Sequence, residues 1–164
     1  MAIKLHSGYM EVAVANLLNP RIHTIAPNIS WGLGFKHECD LLVLDVKGRF
    51  TEVEIKISMA DLKKDFEKPH GHFSPYIGRL VYAIPLEMLP NALPLIPPKC
   101  GIITVARRNY PNKYQGPFKA SWYKQCLHRK DTEPVPDWMR EKFYQLAAMR
   151  IWSLKLHNYK LQLK

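Results

Sequence analysis

At 164 residues, 47% hydrophobic and 23% charged, the chain has room for one domain with a small appendage, and it is not a disordered, collagenous or coiled-coil sequence. No run approaches the ~18–20 apolar residues of a membrane span, and the first residues lack a basic stretch leading into an apolar one, so neither a membrane partner nor a signal peptide is expected. Lysine and arginine number 24 against 14 acids, and the resulting net charge of +10 suits a polyanionic partner.

Ser7 is placed to cap a first helix that Asn19-Pro20 ends. On it Glu11, Val14, Ala15 and Leu18 share a face by helical spacing, which sets a carboxylate among apolar residues. Arg21 to Ser30 reads as a strand interrupted by Pro27, and therefore one at an edge or bulged. Cys39 to Asp45 is a short apolar run, and Phe50 to Ile57 alternates strictly. The two predict a hairpin about a three-residue loop, Val46 to Gly48, with Gly48 in the left-handed position. A helix should then open at Ser58 and close at Pro69. It carries Asp61, Asp65 and Lys68 on one face with Lys64 beside them, and turns Leu62 and Phe66 toward the core. Arg79 to Ile84 is a buried strand, and Pro85 to Leu89 a short turn or helix. After Pro90, Pro94, Pro97 and Pro98 comes a last apolar strand, Gly101 to Ala106.

The charge is uneven: residues 1–106 carry a net +1, residues 107–164 a net +9, and the latter hold 10 of the 18 aromatic residues. Arg107 to Pro136 reads as irregular, broken by Pro111, Gly116, Pro117, Pro134 and Pro136. Arg107, Arg108, Lys113, Lys119, Lys124, Arg129 and Lys130 interleave there with Tyr110, Tyr114, Phe118, Trp122 and Tyr123. Cations that neutralise phosphates and rings that stack on bases are how nucleic acid is held, although the same rings also fit a satellite core with only the charges in water. A terminal helix should run from Asp137 to about Asn158. Trp138, Phe143, Leu146, Met149 and Trp152 give it a broad apolar face, fit for core packing or the seam of a homodimer. The order α-β-β-β-α-β-β predicts an α/β sandwich with a mixed sheet over residues 1–108. A basic, aromatic-rich loop and C-terminal helix, residues 109–164, should pack on it.

The chemistry concentrates on the hairpin. Alternation sets Glu52, Glu54 and Lys56 on one face, and Val53, Ile55 and Ile57 on the other. A three-residue loop opposes Asp45 to Arg49, and the same register opposes Asp40 to Glu54. Directly opposed residues hold their Cβ atoms ~4.5–5.5 Å apart. Two carboxylates that close repel unless a proton or cation lies between them. Hard oxygen donors with open positions suit Mg²⁺ or Mn²⁺, and Lys56 one pleat away could position a water and balance phosphate charge. This is coherent chemistry for cutting a phosphodiester. A Glu-x-Lys strand is by itself commonplace on a solvated surface, and the Asp61, Asp65, Lys68 face fits ordinary helical charge pairing equally well as a phosphate contact from Lys64 or Lys68. His70-Gly-His72 reads as a loop with a substrate contact as the alternative, and zinc is disfavoured there because no cysteine or further histidine lies at a supporting spacing. His37-Glu38 reads as a loop near the site. The three cysteines, Cys39, Cys100 and Cys126, fit neither a disulfide framework nor a zinc module, and imply a reducing, cytoplasmic setting.

Glu11 on the first helix, Asp40 on the second strand and Glu54-Ile55-Lys56 on the third resemble the PD-(D/E)xK nuclease superfamily, with its restriction-endonuclease-like αβββαβ core. More closely, CDLLVLDVKGRFTEVEIKISMADLKKDF, RLVYAIPLEML and GIITVARR resemble MmcB-like and phage- or prophage-borne members. The likeness covers about residues 7–108, with Cys39-Asp40 standing where the superfamily has Pro-Asp. It implies a Mg²⁺- or Mn²⁺-dependent nuclease acting on DNA in repair, recombination or phage DNA processing. Asp40 and Glu54 would be metal ligands, the Ile55 carbonyl a third and Glu11 an outer or second-metal ligand, with Lys56 orienting the attacking water. Lys64, Lys68, His70, Arg107, Arg108, Lys113, Lys119 and Lys124 would meet the nucleic acid. Two other function classes fit the same sequence: a module that binds DNA without cutting it, and an assembly protein built on the terminal helix.

Overall fold

A computed structural model describes residues 3–68, 72, 74–112 and 115–162. Helix α1 (Ser7–Leu18) is followed by strands β1 (Thr24–Ile29), β2 (Cys39–Leu44) and β3 (Phe50–Ile55), then helix α2 (Met59–Phe66) and strand β4 (Ile77–Pro85). A 3-10 turn at Leu86–Met88 leads into the short helix α3 (Leu89–Ala92), strands β5 (Gly101–Asn112) and β6 (Gly116–Lys124), and helix α4 (Asp137–Gln162). The six strands form one mixed sheet in the order β1-β2-β3-β4-β5-β6. β3, β4 and β5 are parallel, and the remaining neighbours antiparallel.

Local chemistry accounts for most of these boundaries. Gly48 at φ 71° and the Asp45–Arg49 closure (amide to carbonyl, 3.0 Å) make the three-residue loop, and the register Leu42↔Glu52, Leu44↔Phe50 follows from it. Arg49 clasps the Asp45 carboxylate at 2.7 and 2.9 Å and seals the turn. Ser58 caps α2 by accepting from the Asp61 amide at 3.2 Å. At α1 the cap position falls on His6, whose side chain makes no capping bond, so Ser7 lies inside the first turn instead of before it. Asn19 ends that helix in the left-handed conformation, φ 58°. Pro27 is accommodated because β1 is an edge strand, paired only with β2.

Alternation along the strands divides the core between the two faces of the sheet. On one face α1 lays Met10, Ala13 and Val14 over Leu41, Val43, Val53, Ile55, Ala83 and Val105. On the other, α4 sets Met139, Phe143 and Leu146 against Leu42, Leu44 and Phe50, while α2 and α3 cover Tyr82, Ile84 and Ile102. Between these two clusters of the second face lie Glu52, Glu54, Lys56, Asp65 and His72, all buried.

Two expectations need correction. Arg107 to Pro136 is irregular only after Lys124: β5 runs on to Asn112 through the expected boundary at 108, and β6 pairs back along it, so the segment extends the sheet. The prolines misled because Pro111 and Pro117 sit beside the hairpin turn of an edge pair, where a missing N–H costs little. Second, Phe66 is exposed, as are Trp138, Met149 and Trp152 of the supposed apolar face of α4; only Phe143 and Leu146 of that set are buried, joined by Met139.

Candidate functional site

The C-terminal end of β3 carries a cluster of buried charges. Glu54 and Lys56 leave the strand on one face at 1% and 3% exposure, which overturns the solvated-strand alternative. Helix α2, capped by Ser58, returns Asp65 to the same point. Lys56 Nζ lies 2.6 Å from Glu54 Oε2 and 2.8 Å from Asp65 Oδ1. Lys68, on the next turn, reaches Asp65 Oδ1 at 2.6 Å and stands 4.0 Å from Glu54 Oε2. Asp65 therefore belongs to the site and not to a wet helix face. It also accepts from Tyr82 Oη at 3.0 Å and lies 2.8 Å from His72 Nε2.

Asp40 completes the arrangement from β2. Its Oδ2 accepts the Ile55 amide at 2.7 Å. In an extended antiparallel strand the N–H and C=O of one residue face the same neighbour, so the Ile55 carbonyl is turned toward the strand of Asp40. The hairpin register carried one pair beyond Leu41↔Val53 opposes Asp40 to Glu54, as the loop length requires. Burial, and after it the Asp40 charge, push the Glu54 carboxyl up to about 8 even beside Lys56. Burial raises Asp40 in spite of the Ile55 bond. Burial, then the charge of Asp40, raises Glu11, which places the α1 carboxylate within electrostatic reach. Asp40 and Glu54 thus crowd one end of the hairpin. Glu54 Oε1, fully buried, accepts no hydrogen bond among the described residues.

Deeper in the same face, His37 Nε2 meets Glu52 Oε1 at 2.7 Å, and His72 Nδ1 meets the same oxygen at 3.0 Å. Burial raises the Glu52 carboxyl, but bonds to the two imidazoles outweigh it and hold the group well below the usual range. Asp65 is held low in the same way, by His72, Lys56 and Lys68 acting against burial. Burial alone would lower His72; the bonds to Asp65 and Glu52 reverse this and carry it up to about 9. His37 and His72 lie in loops as expected, but both are buried partners of Glu52. Strict alternation already put Glu52 on the face of Glu54. The sequence holds no local signal for the two histidines, which arrive from positions 15 residues before and 20 after Glu52.

The proposed nucleic-acid residues divide. β3, β4 and β5 are parallel, so their C-terminal ends lie along one edge of the sheet, and β5 continues past the last β4 pair, Pro85↔Val105. Arg107 and Lys119 are exposed on this projecting β5–β6 arm, two and three strand spacings across from β3, or about 10 and 14 Å. Arg108 is partly used within the arm, donating to Phe118 O at 3.1 Å and Gln115 Oε1 at 2.7 Å. Lys64 is exposed on α2 and Lys68 borders the carboxylates. Lys124 is corrected: it pairs at the opposite end of β5, beside Ile102, and donates to Pro98 O at 3.0 Å. Arg129 likewise binds Ser74 O and Ile77 O, at 3.2 and 3.4 Å, fastening the loop before β4. His70 and Lys113 lie outside the described residues. No helix among the described residues is long and apolar enough to cross a membrane.

A mixed α/β sheet with acids, a lysine and backbone amides gathered at the end of one hairpin defines the class of molecule. The sequence model for the family described as DNA repair protein MmcB-like matches residues 7–158, and the chain belongs to that family. Among solved structures it is similar to SPO1766, described as a protein of unknown function from Silicibacter pomeroyi, with a TM-score of 0.67 and 20% identity over 93% of this chain and 94% of that one. At that identity the likeness shows the shared fold. No curated protein matches the chain.

Proposed function

We propose that the protein is a divalent-metal-dependent DNA nuclease of the PD-(D/E)xK type, built on Asp40, Glu54, Ile55 and Lys56. The observation that carries this reading is Glu54: a carboxylate buried at 1% exposure, facing Asp40, with Oε1 lacking a hydrogen-bond partner among the described residues. Facing Asp40, such a group calls for a proton or a cation besides Lys56, which holds Oε2, and hard oxygens turned to one point fit Mg²⁺ or Mn²⁺. Asp40, Glu54 and the Ile55 carbonyl would hold the ion, with Glu11 behind Asp40. When bound it would polarise the scissile phosphate and activate water. Lys56 keeps its ammonium charged, since the charge of Glu54 and the bonds to Asp65 and Glu54 outweigh burial. It therefore orients a water and stabilises negative charge instead of taking a proton. Asp65 fixes the Lys56 ammonium, and Lys68, a partly exposed side chain at the rim, meets the flanking phosphate. Arg107 and Lys119 extend the phosphate track along the sheet edge. The family's description as a DNA repair protein supports DNA as the substrate and repair as the setting.

One observation favours a second reading, binding without cutting: Lys56 and Lys68 already neutralise Glu54 and Asp65 within the protein. Incubating labelled single-stranded, duplex and branched DNA with Mg²⁺ or Mn²⁺ separates the two. Cutting that Lys56→Ala and Asp40→Ala abolish while binding survives is the expected result. Tight, salt-sensitive binding with no cutting by the wild type would make the protein a binding module.

A further inference from the structure

We propose that His37, Cys39, Glu52 and His72 form a closed zinc site on the second face of the sheet, distinct from the Asp40–Glu54 pair. His37 Nε2 and His72 Nδ1 converge on Glu52 Oε1 at 2.7 and 3.0 Å, and the three donors lie within 4.8 Å of one another. Cys39 Sγ is 3.8 Å from His37 Nε2. Bonds of ~2.0–2.3 Å in a tetrahedron set neighbouring ligand atoms roughly 3.3–3.8 Å apart. The His37–Cys39 spacing already matches this edge, and the imidazole–carboxylate spacings need to open by only a few tenths of an ångström.

The donor set selects the ion. A thiolate, two imidazoles and one carboxylate suit zinc and are foreign to Mg²⁺. His72 Nε2 faces Asp65 Oδ2 at 2.8 Å, and Asp65 also receives Tyr82. This carboxylate–histidine contact keeps the proton on Nε2 and turns the Nδ1 lone pair to the ion, the usual support of a metal-bound imidazole. Glu52 Oε2 is fully buried and accepts no hydrogen bond among the described residues, so protons alone leave part of that carboxylate unmet. A second set, Glu54, Asp65 and His72, is also compact, but the Lys56 and Lys68 ammoniums occupy its carboxylate oxygens.

All four proposed ligands are buried, His37 the most exposed at 9%. No coordination position is left for substrate, which makes the site structural. It ties the entry of β2, the middle of β3 and the loop before β4 into one unit. Binding displaces the Cys39 thiol proton and the imidazolium proton, and no electron is transferred.

The full chain purified under reducing conditions should carry stoichiometric zinc. After stripping with chelator, Co²⁺ should give the intense absorption of a tetrahedral site together with a sulfur-to-cobalt charge-transfer band. Cys39→Ser should lose that band and reduce zinc to trace levels, whereas Asp40→Asn and Lys56→Met should retain full zinc; their behaviour separates this site from the nuclease reading. Zinc-free wild type that gives only the weak spectrum of octahedral Co²⁺ would overturn the proposal. So would a charge-transfer band that persists in Cys39→Ser. Should Cys39→Ser fail to fold, the zinc content and cobalt spectrum of the wild type decide.

Discussion

Lys56 offers the sharpest test of how the buried charges are balanced. Its ammonium, on a residue 3% exposed, is shared between Glu54 at 2.6 Å and Asp65 at 2.8 Å. Removing one partner of a buried pair ordinarily costs ~3–5 kcal/mol, because the other charge is left uncompensated. Here Asp65 would keep Lys68 at 2.6 Å, His72 at 2.8 Å and Tyr82 at 3.0 Å. Glu54 would keep Lys68 at 4.0 Å and His72 Nδ1 at 3.7 Å, and it already takes a proton at about 8, which limits the penalty. Lys56→Met, which preserves the apolar stem, should therefore cost ~2–3 kcal/mol, somewhat below the range for an uncompensated loss. At ~2–4 °C per kcal/mol for a chain of this size, the melting temperature should fall by roughly 5–10 °C. Equilibrium urea denaturation of the wild type, Lys56→Met, Glu54→Gln and the double variant measures it. The double variant should be less destabilised than the sum of the singles, since the two residues are coupled. A cost for Lys56→Met below ~1 kcal/mol, or strict additivity of the pair, would refute the reasoning.

With bound metals removed, stability should decline as pH rises from about 6.5 to 9. His72 titrates near 9 when folded against 6.5 ordinarily, so its contribution is complete below 6.5 and lost through 9. Glu54, raised to about 8, adds a loss in the same direction, because the folded state holds its proton longer than the unfolded one; thermal melts across this range that rise or stay level would contradict both assignments. Arg107→Ala and Lys119→Ala should each reduce the slope of log K against log salt for DNA by about one unit, if each meets one phosphate. Lys124→Ala, tied to Pro98 at the far edge, should leave that slope unchanged in the same fluorescence-anisotropy titration. Phe143→Ala, removing a fully buried ring packed edge-on against Phe50 at 5.2 Å, should cost ~3–5 kcal/mol on chemical denaturation.

The hairpin was legible because two short-range rules determine it. Gly48 dictates the loop, the loop dictates the register, and the register places Asp40 across from Glu54. Alternation then assigned Glu52, Glu54 and Lys56 to one face, but it could not tell which face was covered; α2 and α4 bury it, turning a commonplace charged strand into a sealed cluster. The loop positions of His37 and His72 were legible, but not their burial, which depends on contacts across 15 and 20 positions, beyond any local pattern. The β5–β6 arm was missed for a different reason. Its prolines and Gly116 read as breakers, yet they flank a turn on an edge strand, where the ladder tolerates them. The apolar residues of α4 misled in the opposite sense: spacing predicts a face, but only its first turns pack on the sheet; Arg150 still donates to the Pro27 and Asn28 carbonyls, and residues 151–156 are exposed.

Most direct for the central claim is single-turnover cleavage of labelled DNA by the wild type and by Glu54→Gln, with and without Mg²⁺ or Mn²⁺, at protein concentrations where both are fully bound to DNA. Metal-dependent cutting by the wild type, slowed ~10²-fold or more in Glu54→Gln at equal DNA binding, is the predicted result, since electrostatic stabilisation of the transition state is of that size. Cleavage that continues undiminished in Glu54→Gln, or in the presence of excess chelator, would contradict the assignment of Asp40, Glu54 and Lys56 as the cutting centre.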